Sequence, residues 1–299
     1  MKAGFLIIPM ILLAACQPVE LEEFNYRTTP GTDKESTEPC TLTVNATKDD
    51  AQTKALDLIS GTAETKDRIN AYWKNGEAVK VFRNGTCIGT LTASCTGDRP
   101  TSATLTGKLT VTDLKAKDVL TLLLPRESWD YTGQNGALTG TGSIEDTWAY
   151  ATATVTVNNI GTTAASTADA RFQNQQSIYR FNFKNGDAAL SVKSFVLSSA
   201  TERIVSRMAL GGEATPGSLT VTPASATSNL LYVAIRNSGT ADDTYHFQIT
   251  GEDDALYMAS QLIPASALAS PGRFISAKNI NAVKYSLAQV GEETTTSAL

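Results

Sequence analysis

Few residues of this chain are of a type that does chemistry, and each narrows the possibilities. A serine nucleophile needs a base to take its proton, and the one histidine in 299 residues is His246. It stands between Tyr245 and Phe247 in an alternating stretch, which reads as the solvent face of a strand, and no G-x-S-x-G elbow accompanies it. Paired carboxylates could serve glycoside hydrolysis, but Asp49-Asp50, Asp242-Asp243 and Asp253-Asp254 all sit in turn-like contexts and read as solvated loop acids. The glycine-rich stretch at 133–142 lacks the Gly-Lys-Ser/Thr of a phosphate loop and reads as a flexible connection. One histidine and four cysteines are too few for a zinc or iron centre. Neither a metal nor a cofactor is expected, and the chain reads as a non-enzyme. Trp73, Trp129 and Trp148 could stack on sugar rings, but dispersed as they are they read first as core or rim.

The N-terminus carries chemistry of another kind. Met1-Lys2 precedes an apolar run at 3–15 that contains Pro9 and is too short to span a bilayer, the pattern of an export signal. It ends in Leu13-Ala14-Ala15-Cys16, which matches the bacterial lipobox. Cleavage before Cys16 would leave that residue lipidated and held at the outer membrane. Residues 1–15 are thus expected to be a signal peptide and 16–39 an acidic tether, with Glu20, Glu22 and Glu23 at its start. An acidic patch in this place resembles the surface-export signal of Bacteroidota lipoproteins. Beyond it lie Cys40, Cys87 and Cys95, an odd number, so at most one bridge forms within the chain. Cys87 with Cys95 is the candidate pair, and unbridged small core residues are the equal alternative.

The elements that must carry these residues are strands. About one residue in seven is Thr, a β-branched residue suited to a half-exposed pleat. From residue 41 onward short alternating runs are separated by turn signals, the pattern of sandwiches and barrels. In the first run, at 41–46, Leu42 and Val44 face inward. Residues 79–83 and 86–88 flank Asn84-Gly85, a type I′ hairpin signal, and Asn185-Gly186 is a second. The continuous apolar run 119–124 suits a strand covered on both faces and stopped by Pro125. A small, polar stretch at 161–169 suggests a boundary, after which Arg171-Phe172 opens a fresh series. Two sandwiches of about seven strands each, at 40–168 and 169–299, account for the pattern. The net charge of -5 with no basic block excludes a nucleic-acid partner.

Several pieces taken in order resemble the fimbrillin family of Bacteroidota, the FimA/Mfa-type pilins, from about residue 41 to 290. The stretch from Trp73 through Gly76, Glu77, Val79 and Val81 is similar to that family's W-x-x-G-D-x-V-x-V, with Glu77 in place of the usual Asp. Thr53-Lys54-Ala55 stands where these pilins carry T-R-A, with Lys54 in place of Arg. The run 171–183 and a closing Gly272-Arg273-Phe274 also fit. The resemblance implies an all-β chain of two tandem β-sandwich (transthyretin-like) domains behind a lipoprotein signal. It further implies a subunit of surface fimbriae that contributes to adhesion to host or bacterial surfaces. Cleavage between Lys54 and Ala55 would release the first strand with Leu42 and Val44. A donor strand from another fimbrial subunit would fill the groove, with Val283, Tyr285 and Leu287 as this chain's own candidate donor. A surface glycan-binding lipoprotein without catalytic activity is the alternative.

Overall fold

The computed structural model describes residues 39–48, 56–62, 66–161 and 163–286. In chain order its strands are β1 (Thr41–Lys48), β2 (Leu56–Ile59), β3 (Arg68–Ala71), β4 (Ala78–Arg83), β5 (Thr86–Ser94), β6 (Ser102–Lys108), β7 (Val119–Leu124), β8 (Ser128–Asp130), β9 (Ala151–Ile160), β10 (Ala164–Thr167) and β11 (Ala170–Asn174). There follow β12 (Ser177–Asn185), β13 (Ala188–Ala189), β14 (Val192–Ser199), β15 (Ile204–Ala209), β16 (Ala214–Pro216), β17 (Leu219–Val221), β18 (Leu231–Asn237), β19 (Asp243–Gly251), β20 (Leu256–Ile263), β21 (Phe274–Asn281) and β22 (Val283–Lys284). The described helix is one π-helical turn, Ile144–Trp148, and one short α-helical turn, Ala265–Leu268.

An eight-stranded sheet runs β10-β1-β11-β9-β7-β4-β5-β6, and the pairing of β1 with β6 closes it on itself. The strands β10 and β11 act as two consecutive pieces of one interrupted strand, both parallel to β1 and both antiparallel to β9. Inside lies one hydrophobic cluster that includes Leu42, Val44, Trp73, Val81, Leu122 and Phe172. A second cluster fills the space between a seven-stranded sheet centred on β12 and β18 and a five-stranded sheet, β17-β14-β19-β20-β22. Its centre is aromatic: Phe181 meets Phe247 edge-on at 5.2 Å between ring centroids, and Phe183 meets Phe195 at 5.3 Å.

Chain order and core membership do not divide at residue 168. Arg171 and Phe172, expected to open a second series, lie in β11 and belong to the first sheet, where Phe172 packs edge-on against Trp73 at 5.4 Å. Conversely β8 pairs with β15, and Leu56, Ile69, Trp129, Tyr131 and Trp148 all join the second cluster. The apolar run of β7 is explained by this sharing. Leu120, Leu122 and Leu124 point into the first cluster while Leu123 points into the second, so the end of the strand is covered on both faces, although Val119 at its start is exposed.

Local turn chemistry holds at Asn84-Gly85, where φ is +52° and +80°, as a type I′ turn requires. The second hairpin differs. Asn185 still pairs with Ala188, so its loop is Gly186-Asp187, and of the two only Gly186 has positive φ. The stretch 133–142 is a packed crossing, not a loose connection. Buried Gln134 donates through Nε2 to the carbonyls of Tyr131 (2.9 Å) and Ala234 (2.8 Å) and accepts from the Ala234 amide (2.8 Å).

Gly107 lies opposite Leu42 in the β1–β6 ladder, and a Cβ there would stand 2.1 Å from the carbonyl oxygen of Thr90. Gly107→Ala is therefore expected to push β5 and β6 apart and to cost about 1–3 kcal/mol, read as a lower midpoint in thermal unfolding followed by circular dichroism.

Candidate functional site

The site begins with a strand whose residues alternate. In β1 Leu42, Val44, Ala46 and Lys48 are buried, while Thr43, Asn45 and Thr47 are exposed. The inward residues add about 1.5–3 kcal/mol for each large apolar side chain taken out of water. The backbone is paired on both sides. Antiparallel pairing to β6 runs from Thr41 opposite Lys108 to Thr47 opposite Ser102, and on the other side residues 41–43 follow β10 while 46–48 follow β11. Hydrogen bonds just outside the ladders finish both ends: the Thr41 amide donates to Thr163 (2.9 Å), the Lys48 amide to Thr101 (3.1 Å) and the Leu109 amide to Cys40 (3.0 Å). One strand thus fills the seam between two edges that would otherwise be unpaired, the kind of place where a sheet accepts a foreign strand.

The far end of β1 is closed by charge. Lys48 Nζ lies 2.9 Å from Glu77 Oε2, and the two side chains are 0% and 1% exposed. The same ammonium donates to the carbonyl of Tyr72 at 2.9 Å and sits 4.0 Å from the centre of the Trp73 ring, as a cation over an aromatic face. The turn that carries Glu77 explains the W-x-x-G-E spacing. The Glu77 amide donates back to Lys74, and the amides of Gly76 and Ala93 tie the turn to β5. Trp73 and Glu77 are thereby aimed at one point from the two ends of one turn. Removing one partner of such a buried pair typically costs about 3–5 kcal/mol, because the other charge stays behind without compensation. Neither Lys48 nor Glu77 stood out as a site residue in the sequence. The signal was there in the period-2 phase of 42, 44 and 46, which carries on inward to 48.

The other expected site residues fall as follows. Cys16, Lys54, Ala55 and Leu287 lie outside the described residues. Val283 and Tyr285 are 64% and 51% exposed at the edge of β20, and between them Lys284 pairs with Asp253 at 2.8 Å. Of the two readings for Cys87 and Cys95, the bridge is set aside and the unbridged state is the one found: both are free thiols. They sit at the start of β5 and one residue past its end, so an extended strand holds them roughly 25 Å apart at about 3.3 Å per residue, far beyond the reach of a disulfide. Cys40 is 1% exposed, and burial raises its thiol pKa. His246 bonds through Nδ1 to Ser260 Oγ at 2.8 Å on the neighbouring strand. The acids 242, 243, 253 and 254 bond to Ala265, Ser199, Lys284 and Lys193, none to another carboxylate. Trp73, Trp129 and Trp148 are all buried.

No protein-family model and no curated protein matches the chain. Among solved structures it is similar to a candidate cell adhesion protein from Bacteroides ovatus ATCC 8483, with 14% identity and a TM-score of 0.39, over 84% of this chain and 96% of that one. It is also similar to the C-terminally truncated tip fimbrial protein Mfa3 from Porphyromonas gingivalis, with 13% identity and a TM-score of 0.34, over 75% and 81%. A fimbrial protein from Bacteroides ovatus ATCC 8483 is similar at 11% identity and a TM-score of 0.31; 81% of this chain is covered, and the chain spans 48% of that protein.

Two outcomes follow from the seating of β1. Leu42→Ala is expected to lower stability by about 2–5 kcal/mol and Thr43→Ala by less than about 0.5 kcal/mol, compared by urea midpoints. Alkylation of the native protein without reductant, mapped by peptide mass, is expected to modify Cys87 and Cys95 and to spare Cys40.

Proposed function

We propose that the chain is a non-catalytic subunit of a surface fimbrium that contributes to adhesion and is joined to its neighbours by strand exchange at the β1 seam. The observation that carries this reading is the seating of β1. It is a single short strand that fills the first core with every second side chain and is paired along both edges. Once it is gone, β6 and β10–β11 present unpaired donors and acceptors beside an open core. An alternating segment from a second subunit would restore both the hydrogen bonds and the burial.

β1 ends at Lys48 and β2 begins at Leu56, so a cut between Lys54 and Ala55 would separate β1 from everything that follows. A trypsin-like protease is suited to the basic side of that bond. Val283 and Tyr285 are the donor residues of this reading, since their apolar side chains face solvent with no core of their own. Residues 1–15 act as the export signal, and lipid on Cys16 holds the precursor at the outer membrane. A glycan-binding lipoprotein would present aromatic faces to sugar, and the three tryptophans are 2%, 3% and 6% exposed, which favours the fimbrial reading.

Light trypsin digestion of the lipid-free precursor tests this, followed by intact mass, native gel and alkylation of Cys40. One stable cut after Lys54, then a ladder of multimers built from residue 55 onward and a released segment whose Cys40 has become reactive, is the expected result. A folded protein that resists cutting at Lys54, or a cut protein that stays monomeric with Cys40 protected, would overturn the exchange mechanism.

A further inference from the structure

We propose that Glu77 dictates the sequence of the strand this seam accepts: whatever takes the place of β1 must present a lysine or arginine at the register of Lys48, two residues beyond the position of Ala46. The rule rests on the strand-exchange reading above and adds to it a criterion for partner choice.

Three groups around the Lys48 ammonium belong to the part of the chain that stays when β1 leaves. They are the Glu77 carboxylate at 2.9 Å, the Tyr72 carbonyl at 2.9 Å and the Trp73 ring face at 4.0 Å. Each favours a cation, and the ring is held in place edge-on by Phe172. Besides Lys48, Glu77 Oε2 has the Lys74 amide at 3.4 Å, and Oε1 has no hydrogen-bond partner among the described residues. The Lys74 ammonium is paired with Glu145 instead. In an open seam water would solvate Glu77. A docking strand strips that water, so the strand itself must supply the compensating charge. An apolar side chain at this register leaves a carboxylate buried alone, and an acidic one adds a second.

The partner is thereby described by its chemistry. It is an extended segment with apolar side chains at three alternate positions and a basic one at the fourth, running in the direction of β1. This chain's own segment at 283–290 does not meet the rule in that direction. With Val283 in the place of Leu42, Gln289 falls opposite Glu77. The seam therefore selects a strand from a different subunit over the tail of its own kind.

The test uses the full chain cut within 49–55 and fluorescent peptides of residues 41–48 carrying Lys, Arg, Met or Glu at the last position, together with a peptide of 283–290. Retention is read by anisotropy and gel filtration. The Lys and Arg peptides are expected to be held, with the Met and 283–290 peptides about tenfold or more weaker and the Glu peptide not retained. In a Glu77→Gln chain the preference for Lys over Met is expected to vanish or reverse. Equal retention of the Lys and Met peptides by the Glu77 chain would overturn the rule and leave strand exchange standing. Failure of every peptide to enter, the native one included, would overturn both. In the uncut chain, Lys48→Met should lower the unfolding midpoint and Lys48→Arg should restore most of it. A midpoint unchanged by Lys48→Met would also overturn the rule.

Discussion

A sheet that closes on itself has no edge to protect, and in this protein that closure depends on one eight-residue strand. β1 receives hydrogen bonds from β6 on one side and from β10 and β11 on the other, and its inward side chains complete the first core. The remaining strands of that sheet follow one another by antiparallel pairing. β1 is the piece whose absence exposes two ladders and a core together. Its two ends are finished differently, with apolar Cys40 and Leu42 at one and the Lys48–Glu77 ion pair at the other. Apolar burial is indifferent to sequence within broad limits, whereas an ion pair is not. The strand is thus held by a term that any alternating segment could supply and by one that only a basic residue supplies.

The two cores lean on a common wall. Leu122 and Leu124 of β7 belong to the first cluster and Leu123 to the second, and in β4 Val81 faces the first while Phe82 faces the second. Crossings that leave one sheet to serve the other, at 56–71 and 128–150, tie the halves further. Several buried polar groups on the side of the second core are partnered. Gln134 bridges Tyr131 to both backbone groups of Ala234. The Tyr245 hydroxyl donates to Asn237 Oδ1 at 2.8 Å, and burial raises the pKa of both Tyr245 and Tyr179 beyond the ordinary tyrosine range. These hydroxyls stay protonated donors across any physiological pH.

Period-2 alternation, the Asn84-Gly85 turn and the strand stop at Pro125 were legible because each depends on neighbours a few residues apart. So was β1, down to the inward phase of Leu42 and Val44. The membership of strands in sheets was not. Arg171-Phe172 look like the start of something new because a polar stretch precedes them, yet their pairing is with Thr47 and Lys48. The glycine-rich crossing looked loose because glycines carry no sign of what they pack against.

The sequence by itself determined the β character of the described residues from 41 onward. It also determined which side chains of the first strand would face inward. Tertiary structure alone decided that this strand closes a sheet, that two cores share β7, that Cys87 and Cys95 stand at opposite ends of one strand, and that Lys48 meets Glu77. The reason is range: alternation and turns are written into adjacent residues by backbone geometry, while the pairing of charges and edges far apart in sequence is decided by the cost of leaving a buried charge or a strand edge unpaired.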